Sequence, residues 1–117
     1  MEVIGENYQV TFDESAKTLH CMGTLRLLGS EEYTPIENLF NSIINSNHPA
    51  LILNVANLQF LNSSGINVIS RFVIKIRNLK TTDMTIIGTS KYPWQLKSLQ
   101  NLKRLMPSLI VQIMDGA

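Results

Sequence analysis

The sequence predicts an α/β fold: a single domain over residues 1–117, with a mixed, mainly parallel five-stranded sheet and about three α-helices. Three observations predict it. The chain has 117 residues, 44% of them apolar and 16% charged, enough to bury roughly 65% of the unfolded chain's surface in one core. The apolar period switches between 2 and 3.6 several times over the last three-quarters of the chain, the signature of strands alternating with helices. One stretch, "ALILNVANLQFL" (residues 50–61), opens with a continuous apolar run, which suits a central strand covered on both faces.

Taken in order, "YQVTF" (8–12) alternates polar and apolar residues and reads as a strand. "DESAK" is a turn, and "TLHCMGTLRL" (18–27) is a second strand, bent or ended near Gly23. The short connection makes these two an antiparallel hairpin. In "TPIE", Thr34 is placed to cap a helix, Pro35 suits the first helical position and Glu37 completes a capping box. Ile36, Leu39, Phe40, Ile43 and Ile44 then form one apolar stripe, and Pro49 closes the segment. After strand 50–61, "SSGINVISRFVIKIRN" (63–78) is a second helix with Ile66, Ile69, Phe72, Val73 and Ile76 on one side. "MTIIGT" (84–89) is a strand. A third helix, about 93–106, carries Leu96, Leu99, Leu102 and Leu105, and "LIVQIM" (109–114) is the last strand. The order β-β-α-β-α-β-α-β implies right-handed crossovers in a mainly parallel sheet.

Composition removes several functions. Cys21 is the only cysteine, so neither an internal disulfide nor a cysteine metal cluster can form within one chain; the usage fits a reducing compartment. No apolar run approaches the roughly 20 residues of a membrane helix, and "MEVIGENYQV" has no basic n-region. A soluble, cytoplasmic protein without a membrane partner is expected. Two separated histidines, His20 and His48, offer no metal spacing, and no phosphate-loop or dinucleotide fingerprint is present; no cofactor is expected. The net charge of +1 is unevenly spread. Residues 1–70 hold seven acids against Lys17 and Arg26 (−5), and residues 71–117 hold eight bases against Asp83 and Asp115 (+6). That split either steers a charged partner or reflects solvated helix faces, and the spacing of the bases favours the second. Tyr92 and Trp94 beside Lys91 and Lys97 form an aromatic-basic cluster, but a tryptophan anchoring the third helix is the simpler reading, and no nucleic-acid partner is expected.

The turn "NSSG" (62–65) holds more hydroxyls than a cap requires. Asn62 or Ser63 can cap the second helix, and Gly65 leaves room for another backbone or a partner. The turn follows the carboxyl end of a strand, where functional groups gather in α/β sheets, and precedes a helix N-terminus that favours negative charge. Phosphate on a serine here would be tolerated by the free domain and resisted by a docked partner. An ordinary capping turn is the competing explanation. On the second helix, Asn67, Ser70, Arg71, Ile74 and Asn78 lie opposite the apolar stripe, and Ile74 is apolar on that polar side.

"LILNVANLQFLNSSGINVI" resembles the signature of the STAS domain family, the anti-sigma-factor antagonists and their relatives, in which a buried strand runs into D-S-S-G or D-S-T-G and then a helix. The order of elements and the length match as well. The resemblance implies a small bacterial regulator of partner-switching type, not an enzyme. It would bind an anti-sigma-like serine kinase or another signalling enzyme, with binding controlled by phosphorylation and restored by a phosphatase. It places the phosphorylated serine at Ser63, with Ser64 the second choice, and a partner-binding surface at Asn62, Ser63, Ser64, Gly65, Asn67, Ser70, Arg71 and Ile74. Asn62 stands where the family has aspartate: the capping oxygen is kept and the charge is lost. If the aspartate orients the serine for phosphoryl transfer, phosphorylation here would be slow or absent; if it only caps, little changes. A non-phosphorylated STAS scaffold or ligand-sensing module is the alternative. Serine catalysis ranks lowest, because no G-x-S-x-G elbow or oriented base accompanies the serines.

Overall fold

The computed structural model describes residues 1–115. Seven strands and three helices follow one another: β1 (Glu2–Ile4), β2 (Tyr8–Asp13), β3 (Thr18–Leu25), α1 (Gly29–Asn45), β4 (Ala50–Asn54), β5 (Leu58–Leu61), α2 (Ser63–Leu79), β6 (Asp83–Thr89), α3 (Pro93–Leu105) and β7 (Ile110–Met114). The sheet order is β1-β2-β3-β4-β6-β7, with β5 also paired to β3. β1, β2 and β3 pair antiparallel, and every other pair is parallel. The expected mixed, mainly parallel sheet is therefore present with seven strands in place of five. One extra strand is the short N-terminal β1. The other arises because residues 50–61 break in two.

The break has a visible cause. Residues 18–20 of β3 pair with 52–54 of β4, the register shifts between Gly23 and Thr24, and Thr24–Leu25 then pair with Phe60–Leu61 of β5. Gly23 has φ +91°, and a Cβ there would collide with the Asn7 carbonyl oxygen, so this bend needs glycine. Between β4 and β5 the Asn54 side chain accepts from the Ala56 N–H (3.0 Å). Gln95, on α3, supplies the rest. It is fully buried. Its amide nitrogen donates to the Val55 and Leu58 carbonyls (2.7 and 3.0 Å), and its oxygen accepts from the Thr89 N–H (2.8 Å). One side chain thus satisfies backbone groups at the β4–β5 break and at the end of β6.

Each parallel crossover moves the same way across the sheet, so right-handed connections lay α1, α2 and α3 side by side on one face. α2 is in the middle, touching both α1 and α3. Burial alternates accordingly: Val10, Phe12, Leu19, Cys21, Leu51, Leu53, Met84 and Ile86 are buried beneath the helices, while Thr11, His20, Ile52, Asn54, Thr85 and Ile87 between them are only half-buried. The 50–61 segment is thus covered on one face, not two; its apolar run persists because Ile52 also sits among side chains of neighbouring strands.

Three details of the helices differ from expectation. α1 begins at Gly29, five residues before Thr34, and Pro35 lies inside it. The Thr34 hydroxyl donates to the Ser30 carbonyl (3.2 Å), so Thr34–Glu37 is not a capping box. Tyr33, in the added turn, is buried, and burying that ring repays extending the helix through a proline, which here forfeits one backbone bond. On α2, Val68 is in the core and Ile66 is half-buried. On α3, Leu96 is exposed while Gln95 is buried. Trp94 packs partly against the core, its indole N–H donating to the Gln59 carbonyl (3.0 Å). No helix among the described residues is long and apolar enough to cross a membrane.

Gln95→Ala would strand the Val55 and Leu58 carbonyls and the Thr89 N–H in the interior, and is expected to lower unfolding free energy by about 2–4 kcal/mol in urea titrations. Burial pushes the Cys21 thiol up to about 12 from 9.0. Alkylation of the native protein at mildly alkaline pH should therefore be orders of magnitude slower than that of the urea-unfolded chain. By linkage, the thiol's contribution to stability is complete below pH 9 and declines from there to about pH 12 as the unfolded chain ionises first.

Candidate functional site

β5 ends at Leu61 and α2 begins at Ser63. Asn62 between them is extended (φ −78°, ψ 176°) and its side chain caps the helix. Asn62 Oδ1 accepts from the Gly65 N–H (3.0 Å) and from the Tyr33 hydroxyl (2.7 Å), and Nδ2 donates to the Leu27 carbonyl (2.9 Å). The Asn62 N–H donates to the Leu25 carbonyl (3.1 Å). The end of β3, the first turns of α1 and the start of α2 are joined through this one residue. Burial raises the Tyr33 pKa, keeping its hydroxyl protonated as a donor. Gly65 is buried, and a Cβ on it would run into Leu61 and meet the Tyr33 hydroxyl at 2.6 Å. The motif glycine thus makes room for tyrosine to reach asparagine.

The expected partner-binding residues therefore divide into two groups. Asn62 and Gly65, which the resemblance places on the contact surface, face inward and build the turn: the asparagine side chain is taken up by Tyr33, Leu27 and Gly65, and the glycine is packed against Leu61 and Tyr33. Ser63 is exposed and Ser64 half-exposed, and neither hydroxyl makes a hydrogen bond among the described residues. Ser63, Asn67, Ser70 and Ile74 run down the outward side of α2 at helical spacing, with Asn67 exposed and Ser70 and Ile74 half-buried. Arg71 leans to one flank, where it pairs with Glu37 of α1 at 2.7 Å, and Lys75 does the same with Asn41 at 2.9 Å. Ser70 borders the other flank, an apolar cleft between α2 and α3 lined by Ile66, Ile69, Trp94, Leu99 and Leu102.

Other residues at this end escaped the sequence reading. Leu28 is 76% exposed and Phe60 38% exposed, and the Arg26 guanidinium lies 4.7 Å from the centre of the Phe60 ring. Leu25 pairs with Leu61, and Leu27 is held by Asn62, so Arg26, Leu28 and Phe60 flank the serine turn. Only the parallel β3–β5 pairing brings residues 26–28 beside 60–63, a contact that no local pattern signals. The first turn of α2 contains no acidic residue. His20 lies on the open face of the sheet and His48 precedes β4 at the opposite end from Ser63; neither shares a hydrogen bond with it.

No family model matches the sequence, and no curated protein does. Solved structures do match in shape. An anti-sigma-factor antagonist from Mycobacterium paratuberculosis superposes with TM-score 0.61 at 15% identity, covering 94% of this chain and 82% of its own. A STAS domain protein from Planctomyces limnophilus gives TM-score 0.57 at 16% identity, over 97% and 92%. This chain has the STAS fold. A further match in shape is to a chain in the complex of the diguanylate cyclase SiaD with its activator SiaC from Pseudomonas aeruginosa, with TM-score 0.75 at 13% identity over 99% of both chains. Within this STAS fold, the serine turn lies at the strand-to-helix junction that the sequence resemblance pointed to.

The Asn62 geometry calls for an amide. Asn62→Asp would replace a donor to the Leu27 carbonyl with an oxygen that repels it. The expected loss is about 1–3 kcal/mol despite the favourable charge at a helix start, a drop that thermal unfolding of the variant beside wild type will measure. A higher melting temperature for the aspartate variant would show that the helix dipole outweighs the Leu27 contact.

Proposed function

We propose that this protein is a regulator that docks a signalling protein on the outward side of α2 and the neighbouring Arg26–Leu28–Phe60 patch, and that phosphorylation of Ser63 releases it. The observation that carries this reading is the exposed, unengaged Ser63 hydroxyl at the first position of α2, while Asn62 supplies the cap. The free domain has no acidic residue in that turn to repel a phosphate, and the helix start favours the added charge. A partner covering Leu28 and Phe60 would have to desolvate the same phosphate, which costs several kcal/mol when unpaired.

Asn62 in place of aspartate supports the capping role over a role in phosphoryl transfer, because both of its side-chain atoms are already occupied by the fold. Signalling enzymes are the partner class that the likenesses favour: one matching structure is of an anti-sigma-factor antagonist, and another contains a diguanylate cyclase with its activator. A non-phosphorylated scaffold remains the second reading, favoured by the exposure of Leu28 and Phe60, which need no modification to bind. A small-molecule sensor is disfavoured at the α2–α3 cleft, whose volume of about 40 Å³ is far below the several hundred Å³ of ordinary ligand pockets.

Affinity capture from the native organism, followed by titration of the captured partner, tests the switch. Ser63→Asp should weaken binding at least about tenfold, about 1.4 kcal/mol, and leave the melting temperature within a few degrees. Mass spectrometry after incubation with extract and ATP should find phosphate on Ser63 and none in Ser63→Ala. Equal affinity of the aspartate variant together with an unmodified Ser63 would leave the scaffold reading in its place.

A further inference from the structure

The charge split along the chain acquires a direction in the fold. Strand order follows sequence order closely, so the acidic N-terminal segment lies at one edge of the sheet and the basic C-terminal segment at the other. The β1–β2–β3 meander carries Glu2, Glu6, Asp13 and Glu14 against Lys17, with Glu2 opposite Thr11 on the open face of the sheet. Beside β7 are Lys91, Lys97, Lys103 and Arg104, against Asp83 and Asp115. Gln100, Lys103 and Arg104 of α3 line an open groove along β7 that is floored by Val111, and Lys97 shares their stripe at helical spacing.

Both edges are unpaired among the described residues, and both are apolar. Ile4 is 63% exposed on β1, and Ile110 and Met114 are 53% and 55% exposed on β7. β7 contains no charged residue, proline or bulge to block pairing. Backbone direction matches as well. Met1 and Gly5 bond to β2, so the N–H and C=O of Glu2 and Ile4 point outward. The Met114 carbonyl accepts from the Ser90 N–H, so those of Val111 and Ile113 point outward on β7. β1 runs in the same direction as β7, so a copy displaced along the sheet offers β1 to β7 in parallel register with the same face up.

We propose that copies of this protein associate head to tail, the basic β7 edge of one pairing with the acidic β1 edge of the next to extend a continuous sheet. The occupant of each edge is a second copy because one edge region is net acidic and the other net basic, so unlike edges attract and like edges repel. A two-fold β7–β7 pair would bring the net basic regions that include Lys97 and Arg104 together, and a β1–β1 pair would do the same with the acidic Glu2 and Glu6. The contact is heterologous, so it does not close on a dimer. It is short and charge-steered, so salt weakens it.

Sedimentation velocity over a concentration series tests this. At low ionic strength the weight-average sedimentation coefficient should rise with concentration and pass beyond that of a dimer, and added salt should return it to the monomer value. Lys97→Glu with Arg104→Glu makes both ends acidic, and Glu2→Lys with Glu6→Lys makes both ends basic. Each variant alone should lose the concentration-dependent rise, and an equimolar mixture of the two should regain it. A monomer at every concentration in low salt, a plateau at a dimer, or a mixture that stays monomeric would each overturn the proposal. The salt series on the unmodified protein decides the matter even if a variant fails to fold.

Discussion

The structure depends on one half-buried amide. Asn62 receives two hydrogen bonds, from Gly65 and Tyr33, and gives one, to Leu27. Those three contacts tie a strand end, a helix start and the first turns of another helix to a single residue. Without them the exit of β3, the placement of α1 over the sheet and the first turn of α2 would each have to be fixed separately. The full use of that side chain also explains the serines. With capping assigned to Asn62, the Ser63 hydroxyl is released to solvent, and the turn displays a hydroxyl it does not need for its own stability.

Gln95 does for the sheet what Asn62 does for the helix. A parallel strand that breaks between residues 54 and 58 leaves carbonyls pointing into an apolar layer, where each unpaired group costs free energy. A helix passing over the break can satisfy them only with a side chain long enough to reach and able both to donate and to accept. Glutamine meets both conditions, and its burial in place of Leu96 rotates the apolar stripe of α3 from the one its leucines suggest. The two amides stand at the carboxyl ends of the strands, so the end that presents Ser63 is also stiffened from beneath.

The order of elements was legible in the sequence because period, proline and glycine act locally. The antiparallel hairpin, the three helices and the serine turn at a helix start followed from residues within a few positions of each other. The missed features all depend on residues distant in the chain. Thr34-Pro35-Ile36-Glu37 has every local mark of a helix start, yet the burial of Tyr33 under Asn62 extends the helix backwards past it. Phe60 looks like strand core until the β3–β5 pairing puts Arg26 over its exposed ring. Gly65 reads as room for a partner, but the room is taken by Tyr33 and Leu61. Val68 replaces Ile66 in the core because the flank of α2 nearest α3 opens into a cleft. For the candidate site, the sequence located the serine turn at the start of α2 and the outward stripe of that helix; the apolar patch beside them required the sheet.

One-sided layering links the site to the rest of the molecule. With all three helices on one face, α2 has a neighbour on each side, so Arg71 and Lys75 are drawn toward α1, where Glu37 and Asn41 hold them. Their charge is thereby kept off the outward stripe, which is left polar but nearly uncharged from Ser63 to Ile74. A phosphate added to such a stripe would stand out, because the first turn of α2 holds no carboxylate and the cations of the helix are tethered to its flank. Arg26 differs: it is exposed and, among the described residues, held by the face of Phe60. That contact sets an exposed cation on the Phe60 ring, so the apolar patch near the serine turn carries a positive charge that the outward stripe of α2 lacks.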